Sequence, residues 1–207
     1  MPRLPRGYSI MVRLLLIRHA ATDASEKNLL LGATDAEASR SGLQQLARMP
    51  ALLATYCPER WYGSPLLRAV QTADQLRGLG VIEQHVQLDK RLREIDFGRW
   101  EEKSFAEIVA SDPHLIPAWS RYEDFVFPAG ESVAGFTRRV AEALEMFRSA
   151  AEARIGIVTH GGVIRTMICL ALGMSARNYL LFTVNPASLT IIDLYPEGGV
   201  LSGLNMS

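Results

Sequence analysis

Two short apolar runs that each end on a histidine constrain this chain more than any other feature of its sequence. Leu14 to Ile17 lead directly into Arg18 and His19, and 155–159 lead into His160 and two glycines. Taken alone, either polar end also fits a strand whose tip meets solvent. In an open parallel sheet, however, the carboxyl ends of the strands line one crevice. We therefore expect the two histidines to meet there, although they are far apart in the chain.

Apolar runs alternate with amphipathic patterns along the chain, which is typical of an α/β protein with a largely parallel sheet. The predicted strands are 13–18, 60–63, 86–88, 155–159 and 189–195. The predicted helices are 39–54, 66–79, 133–150 and 162–172, followed by a closing hairpin over 193–201. Within the first of these helices, we expect Pro50 to produce a kink or a break.

Composition favours one globular unit without an extended charged surface. The chain has 207 residues and is 48% hydrophobic, which suits a single core. Twenty-two basic residues balance 22 acidic ones without long like-charge runs, so neither nucleic acid nor a membrane surface is favoured as a partner. We predict a loose extension over 1–11, in which Met11 is an alternative start, and one domain over 12–207.

Cysteine usage and the beginning of the chain indicate a cytoplasmic protein. Cys57 and Cys169 lie far apart and form no paired motif, which argues against a disulfide framework or a zinc site. No apolar run has the length of a membrane span, and the first residues lack a signal-peptide pattern.

The segment 100–130 loses clear periodicity and accumulates aromatic residues and prolines, so we predict an insertion that covers one edge of the domain. Its large side chains include Trp100, Trp119, Tyr122 and Phe125. These rings could stack on a flat ligand or fill a satellite core, and the sequence leaves both interpretations open.

Two further stretches supply charged residues near predicted strand ends. "SPLLRAVQTA" places Arg68 in the first turn of a helix, where free amides already favour an anion. "LREIDFGRWEE" places Glu94 shortly after another strand. Two arginines, two histidines and one carboxylate at four strand ends suit phosphoryl transfer, because the planar guanidinium binds phosphate oxygens in pairs.

The four stretches together resemble the histidine phosphatase superfamily, the phosphoglycerate-mutase-like proteins. The resemblance runs from about Val12 to Asp193 and rests on "IRHAATD", "SPLLRAVQTA", "EIDFGRWEE" and "THGG". It implies a three-layer α/β/α sandwich with a mostly parallel central sheet and an insertion at about 100–130.

The resemblance also implies a role for each motif residue. His19 would attack phosphorus and become a phosphohistidine, while Glu94 would protonate the leaving oxygen and then activate water. Arg18, Arg68 and His160 would complete the catalytic set. The implied phosphate-binding residues are Arg18, Arg68, His160, Thr22, Ser25 and Gly161. No metal or cofactor is implied, since arginines supply the positive charge.

Three positions depart from the family pattern. Ala20 stands where glycine is usual, Ala21 follows it, and Ser25 stands where asparagine is frequent. An alanine would be strained if its position required a positive φ. These departures leave the charged residues of the motifs unchanged.

The stretch "EIDFGRWEEKSFAEI" lacks the mutase signature and resembles the phosphatase branch that includes α-ribazole phosphatase. The expected substrate is therefore a phosphorylated small molecule, with α-ribazole 5′-phosphate as the leading candidate. A broad-specificity sugar phosphatase, a phosphoglycerate mutase and an inactive binding protein on the same fold are the alternatives. A homodimer is also left open.

Overall fold

Six strands form one sheet in the computed structural model, which describes residues 11–207; the rest of the predicted extension lies outside the described residues. The strands are β1 Val12–Arg18, β2 Arg60–Gly63, β3 Val86–Leu88, β4 Arg154–Thr159, β5 Leu189–Tyr195 and β6 Gly198–Met206. Their order is β3-β2-β4-β1-β5-β6, in which the first four are parallel. Strand β5 pairs antiparallel with β1 and with β6. The prediction of a mostly parallel sheet and a closing hairpin is confirmed.

The central strand β1 is buried on both faces. Leu14 and Leu16 belong to one apolar cluster, and Leu15 and Ile17 belong to the other. Successive side chains of a strand point to opposite faces, so an unbroken apolar run requires cover on both sides. Helices supply that cover, which gives the predicted three-layer arrangement.

The helices are α1 Asp23–Glu26, α2 Arg40–Gln44, α3 Met49–Leu53, α4 Leu67–Gly78, α5 Phe105–Ser111, α6 Ile116–Trp119, α7 Val133–Arg148 and α8 Gly161–Ala171. Shorter 3-10 turns lie at Gln45–Arg48, Lys90–Leu92, Gly98–Trp100, Pro113–Leu115 and Ala176–Leu181. Helices α7 and α8 contribute to the cluster of Leu14, and α3 and α4 contribute to the cluster of Leu15. No helix among residues 11–207 combines the length and the apolar character that a membrane crossing needs.

The predicted helix over 39–54 is broken into three pieces, as the proline suggested, but the break lies before Pro50. A 3-10 turn separates α2 from α3, and Pro50 lies in the first turn of α3. A proline is tolerated there because the first amides of a helix have no intrahelical acceptor.

The predicted insertion carries short helices, and part of its aromatic content joins the main core. Trp100 and Phe125 are buried and stacked, with ring centroids 5.5 Å apart. The Trp100 indole N–H donates to Asp112 Oδ2 at 2.7 Å, which satisfies its buried donor. For these two rings the core interpretation is therefore correct.

Strand pairing brings both histidines to the same edge of the sheet. Arg18 of β1 is in register with Thr159 of β4. The next residues in each strand are His19 and His160, and the His19 amide donates to the Thr159 carbonyl at 2.8 Å. This hydrogen bond continues the ladder up to the first histidine.

The contact between Gly156 and Trp61 gives a test of the core. The two residues are paired across β4 and β2, and a Cβ on Gly156 would lie 2.4 Å from the Trp61 ring. We expect Gly156→Ala to lower the free energy of unfolding by about 1 to 3 kcal/mol, because the buried indole must shift. Gly78→Ala is the control, since nothing lies within 4 Å of its added Cβ. Urea unfolding of both variants measures the difference, and equal stabilities would contradict the prediction.

Candidate active site

His19 is held with one ring nitrogen unprotonated. Its Nδ1 lies 2.7 Å from the Ala20 carbonyl oxygen, which can only accept, so Nδ1 carries the proton. The lone pair of Nε2 is left, and Arg68 Nε donates to it at 3.3 Å. The ring of His160 is adjacent, with centroids 5.0 Å apart. A buried imidazole whose Nε2 carries no proton can act as a nucleophile in an electropositive site.

Arg68 is fully buried and reaches His19 from the start of α4. Its Nη1 donates to the Thr34 carbonyl at 2.8 Å, and its Nη2 donates to the Gly32 carbonyl at 2.6 Å. Neutral carbonyls, not a carboxylate, therefore hold the guanidinium among the described residues. Burial lowers the pKa of Arg68, opposed chiefly by the charge of Glu94.

Arg18 has an unused donor in the site. Its Nη1 donates to the Val184 carbonyl at 2.5 Å, whereas its buried Nε has no partner within residues 11–207. Gly161 packs against the guanidinium, and a Cβ there would lie 3.4 Å from Arg18 Cζ. Burial lowers the pKa of Arg18 to about 10, so the group stays charged near neutral pH. A buried donor without an acceptor suits an incoming anion.

His160 is also buried and has a polar partner that sequence reasoning missed. Its Nε2 lies 2.7 Å from Ser64 Oγ, and its buried Nδ1 has no partner in the described chain. Ser64 is the first residue of "SPLLRAVQTA" and directly follows β2, so its position at a strand end was an available signal. Burial is the main cause of the lowered pKa of His160, followed by the charge of Arg68.

Glu94 is bound to the first turn of α8. Its Oε2 accepts the Gly162 amide at 2.9 Å, and its Oε1 accepts the Ile95 amide at 3.1 Å. A Cβ on Gly162 would lie 2.3 Å from Glu94 Oε1. A side chain at the second glycine of "THGG" would therefore displace this carboxylate.

Thr22 and Ser25 form the N-terminal cap of α1. Thr22 Oγ1 accepts the Ser25 amide at 3.1 Å, and Ser25 Oγ accepts the Thr22 amide at 2.8 Å. The Ser25 hydroxyl also donates to the Thr22 carbonyl at 2.8 Å, so its proton is already engaged. The buried Thr22 hydroxyl makes no donated bond within the described chain and keeps a proton for a ligand.

The alanines that depart from the family pattern are unstrained. Neither Ala20 nor Ala21 has a positive φ, and both are buried. The Ala20 amide donates to Thr72 Oγ1 at 2.9 Å, and the Ala20 side chain packs in the cluster of Leu15. Alanine therefore fits both positions without the strain that the sequence left open.

A cavity of about 470 Å³ adjoins Glu94 and Gly162. Its walls are largely apolar, and they include Phe97, Phe105, Trp119, Tyr122, Tyr179 and Leu180. Trp119 and Tyr122, two of the four aromatic candidates, line this cavity, although Tyr122 is also buried in the core cluster of Trp100 and Phe125. The rings of Tyr122 and Tyr179 stack at 4.0 Å. Burial raises the pKa of Tyr179 to about 12, which keeps its hydroxyl protonated near neutral pH.

Positive charge also reaches this cavity. Arg165 and Arg177 contribute to its lining, and Arg165 Nε donates to the Phe182 carbonyl at 3.0 Å. Within residues 11–207, no group of three or more His, Cys, Asp or Glu side chains is arranged to hold a metal ion. The site is thus a cluster of two arginines and two histidines with one carboxylate between it and an apolar cavity.

The buried histidines make stability depend on pH. Burial, reinforced by nearby arginines, keeps the pKa of His19 and His160 well below the ordinary 6.5. Below about pH 6.5 the unfolded chain binds protons that the folded protein does not. The free energy of unfolding therefore decreases as the pH is lowered. We expect a contribution of up to about 1.4 kcal/mol per pH unit from each imidazole. The free energies of unfolding of wild type and of a His19→Asn/His160→Asn variant, measured between pH 5 and 8, give this contribution. Identical slopes of the two free energies against pH would contradict the prediction.

Comparison with known proteins agrees with this geometry. The chain is 28% identical over 202 residues to phosphoserine phosphatase 1 of Hydrogenobacter thermophilus, covering 95% of this chain and 93% of that protein. It is 28% identical over 196 residues to the adenosylcobalamin/alpha-ribazole phosphatase of Salmonella typhimurium, covering 94% and 96%. The alpha-ribazole phosphatase structure from Shigella flexneri matches with a TM-score of 0.82 at 27% identity, covering 94% and 96%. The model of the histidine phosphatase superfamily (branch 1) matches residues 14–207, and the chain belongs to that superfamily.

Proposed function

We propose that this protein is a metal-independent phosphomonoesterase that acts through a phosphohistidine on His19. The observation that carries the proposal is the unprotonated Nε2 of His19, which accepts from Arg68 and lies beside the ring of His160. Arg18 Nε and His160 Nδ1 are buried polar atoms without partners among residues 11–207, and a phosphoryl group would satisfy both. Membership of a phosphatase family supports the reaction class.

In the first step, Nε2 of His19 attacks phosphorus, and the bond from phosphorus to the ester oxygen breaks. Glu94 in its protonated form gives its proton to the departing oxygen. In the second step, Glu94 removes a proton from water, whose oxygen attacks phosphorus, and the bond to His19 breaks. The products are an alcohol and inorganic phosphate.

The arginines and His160 hold the phosphoryl oxygens while negative charge moves among them. Arg18 and Arg68 are pre-positioned in a buried site, where charge-assisted hydrogen bonds are strong. His160 is neutral without a ligand, because burial and the arginines lower its pKa. A phosphate dianion opposes both effects, so binding favours an imidazolium that donates from Nδ1. The Thr22 hydroxyl and the Gly161 segment beside Arg18 are further contributors.

The cavity beside Glu94 is the place for the leaving group, since the proton donor must lie on that side. Seven aromatic or leucine side chains line it, which favours a flat apolar group over a small zwitterionic one such as serine. We therefore infer that α-ribazole 5′-phosphate, or a phosphate ester of similar shape, is the preferred substrate.

Arg165 and Arg177 favour a second candidate, a phosphatase for carboxylated esters such as phosphoserine or phosphoglycerate. A panel of these esters with α-ribazole 5′-phosphate and a generic sugar phosphate separates the candidates by kcat/KM. A hundredfold preference identifies a dedicated enzyme, and a flat profile indicates a broad-specificity phosphatase. Interconversion of phosphoglycerates without free phosphate would indicate a mutase instead.

We also infer that residues 12–207 act as one domain in the cytoplasm. The free thiols support a reducing compartment, with Cys57 exposed and Cys169 buried and unpaired.

The assigned nucleophile is tested by His19→Ala with His85→Ala as the matched control. His85 is an exposed histidine that makes no hydrogen bond to the site residues described above. We expect His19→Ala to lose at least about 10³-fold in phosphate release and to form no acid-labile phosphoprotein, because no nucleophile remains. His85→Ala should retain both, and chelators should change neither. Comparable turnover by the two variants would contradict the assignment.

The leaving-group pocket is tested by two neighbouring leucines. Leu180 is 70% exposed and lines the cavity, whereas Leu181 is 71% exposed and does not. We expect Leu180→Ala to raise KM for α-ribazole 5′-phosphate about fivefold, equivalent to losing roughly 1 kcal/mol of apolar contact. Leu181→Ala should leave KM unchanged, and KM for phosphoserine should change in neither variant. An equal effect of both substitutions on α-ribazole phosphate would contradict the placement.

A further inference from the structure

Glu101 belongs to the "EIDFGRWEE" stretch and binds the loop that holds Arg68. Its Oε2 accepts the amides of Gly32 and Thr34 at 2.9 and 3.3 Å. Its Oε1 accepts the amides of Ala33 and Phe97, both at 2.9 Å. One half-buried carboxylate therefore satisfies four backbone donors from two separate segments.

The same loop supplies both carbonyls that fix the Arg68 fork. Gly32 O accepts from Nη2, and Thr34 O accepts from Nη1. The carbonyl of Gly32 and the amide of Ala33 belong to one peptide group. That peptide group lies between two opposite charges: it accepts from the guanidinium on one side and donates to Glu101 on the other. Each bond polarises the other, which strengthens the connection.

The 32–34 loop packs closely against Glu101 and against the segment around Ile95. A Cβ on Gly32 would lie 1.9 Å from the Ile95 carbonyl and 2.4 Å from Glu101 Oε1. The backbone of the loop thus rests against the segment that carries Glu94. Glu101 also binds that segment, because it accepts the Phe97 amide. One carboxylate therefore links the loop that holds Arg68 to the segment that carries Glu94, the proposed acid.

We propose that Glu101 is a positioning residue for the reaction: it orients Arg68 toward the phosphoryl group through the 32–34 loop. It does not line the cavity and makes no hydrogen bond to His19. Its hydrogen bonds go to peptide groups, and its negative charge also favours the charged form of Arg68. The inference rests on the proposed function, since it assumes that Arg68 binds phosphate.

Glu101→Gln is the informative substitution because it preserves shape and removes charge. The amide oxygen can still accept from one side, but the new NH₂ faces amide donors that it cannot satisfy. Glu102→Gln is the matched control, because Glu102 is the exposed next residue and its side chain makes no hydrogen bond in the described chain. The probe is inorganic phosphate, and calorimetry gives its Kd.

We expect Glu101→Gln to raise the Kd for phosphate about tenfold, as loss of bonds to a charged group requires. Glu102→Gln should leave it unchanged. The decisive readout is the same substitution in an Arg68→Ala background, where it should have less than half of its free-energy effect on phosphate binding. A residue that only stabilises the fold would not show this dependence on Arg68. If Glu101→Gln fails to fold, Glu101→Asp replaces it under the same criteria.

Two results would overturn the proposal: wild-type phosphate affinity in Glu101→Gln, or half or more of its effect remaining without Arg68. Both presuppose a wild-type protein that binds phosphate and releases it from esters. A wild type that does neither would overturn the proposed function, and this inference with it. The measurements on the wild-type protein therefore distinguish a failure of the proposed function from a failure of the Glu101 proposal alone.

Discussion

The parallel pairing of β1 with β4 is the constraint on which the rest of the site depends. The register of Arg18 with Thr159 puts His19 and His160 side by side at one edge of the sheet. A shift of one residue would turn every β1 side chain to the opposite face and bury the wrong set. The same apolar packing that stabilises the sheet therefore also sets the distance between the two imidazoles.

The site carries more positive charge than its protein partners neutralise. Arg18 and Arg68 are held by backbone carbonyls, and both histidines are driven toward their neutral forms by burial. Because the two imidazoles are neutral in the free protein, only the two arginines repel each other there, and not four cations. A phosphate dianion would relieve what remains, so a site of this kind discriminates in favour of anions before any contact with the rest of a substrate.

Several elements were predictable because local rules decide them. Strand ends, the helix that carries Arg68 and the break in the first long helical pattern all follow from apolar periodicity, glycine and proline. The position of the break was not predictable, since it depends on packing against neighbouring elements. Positions of polar groups joined by long-range hydrogen bonds were also missed: Ser64 meets His160, and Glu101 meets the 32–34 loop. Both residues lie within motifs, but a motif does not show which distant polar group its side chain will meet.

The aromatic residues of the insertion show the same division. Composition alone could not say whether they bind a ligand or fill a core, and the tertiary structure divides them. Trp100 and Phe125 only fill the core, Trp119 lines the cavity beside Glu94, and Tyr122 does both.

By itself, the sequence determined the α/β class, the family and the set of charged residues at strand ends, because periodicity and short motifs encode these locally. Only the tertiary structure decided which nitrogen of His19 is unprotonated, what holds Arg68 and why Ala20 is unstrained. Those properties depend on atoms that lie far apart in the chain, and the distances between them exist only once the sheet and its loops have packed.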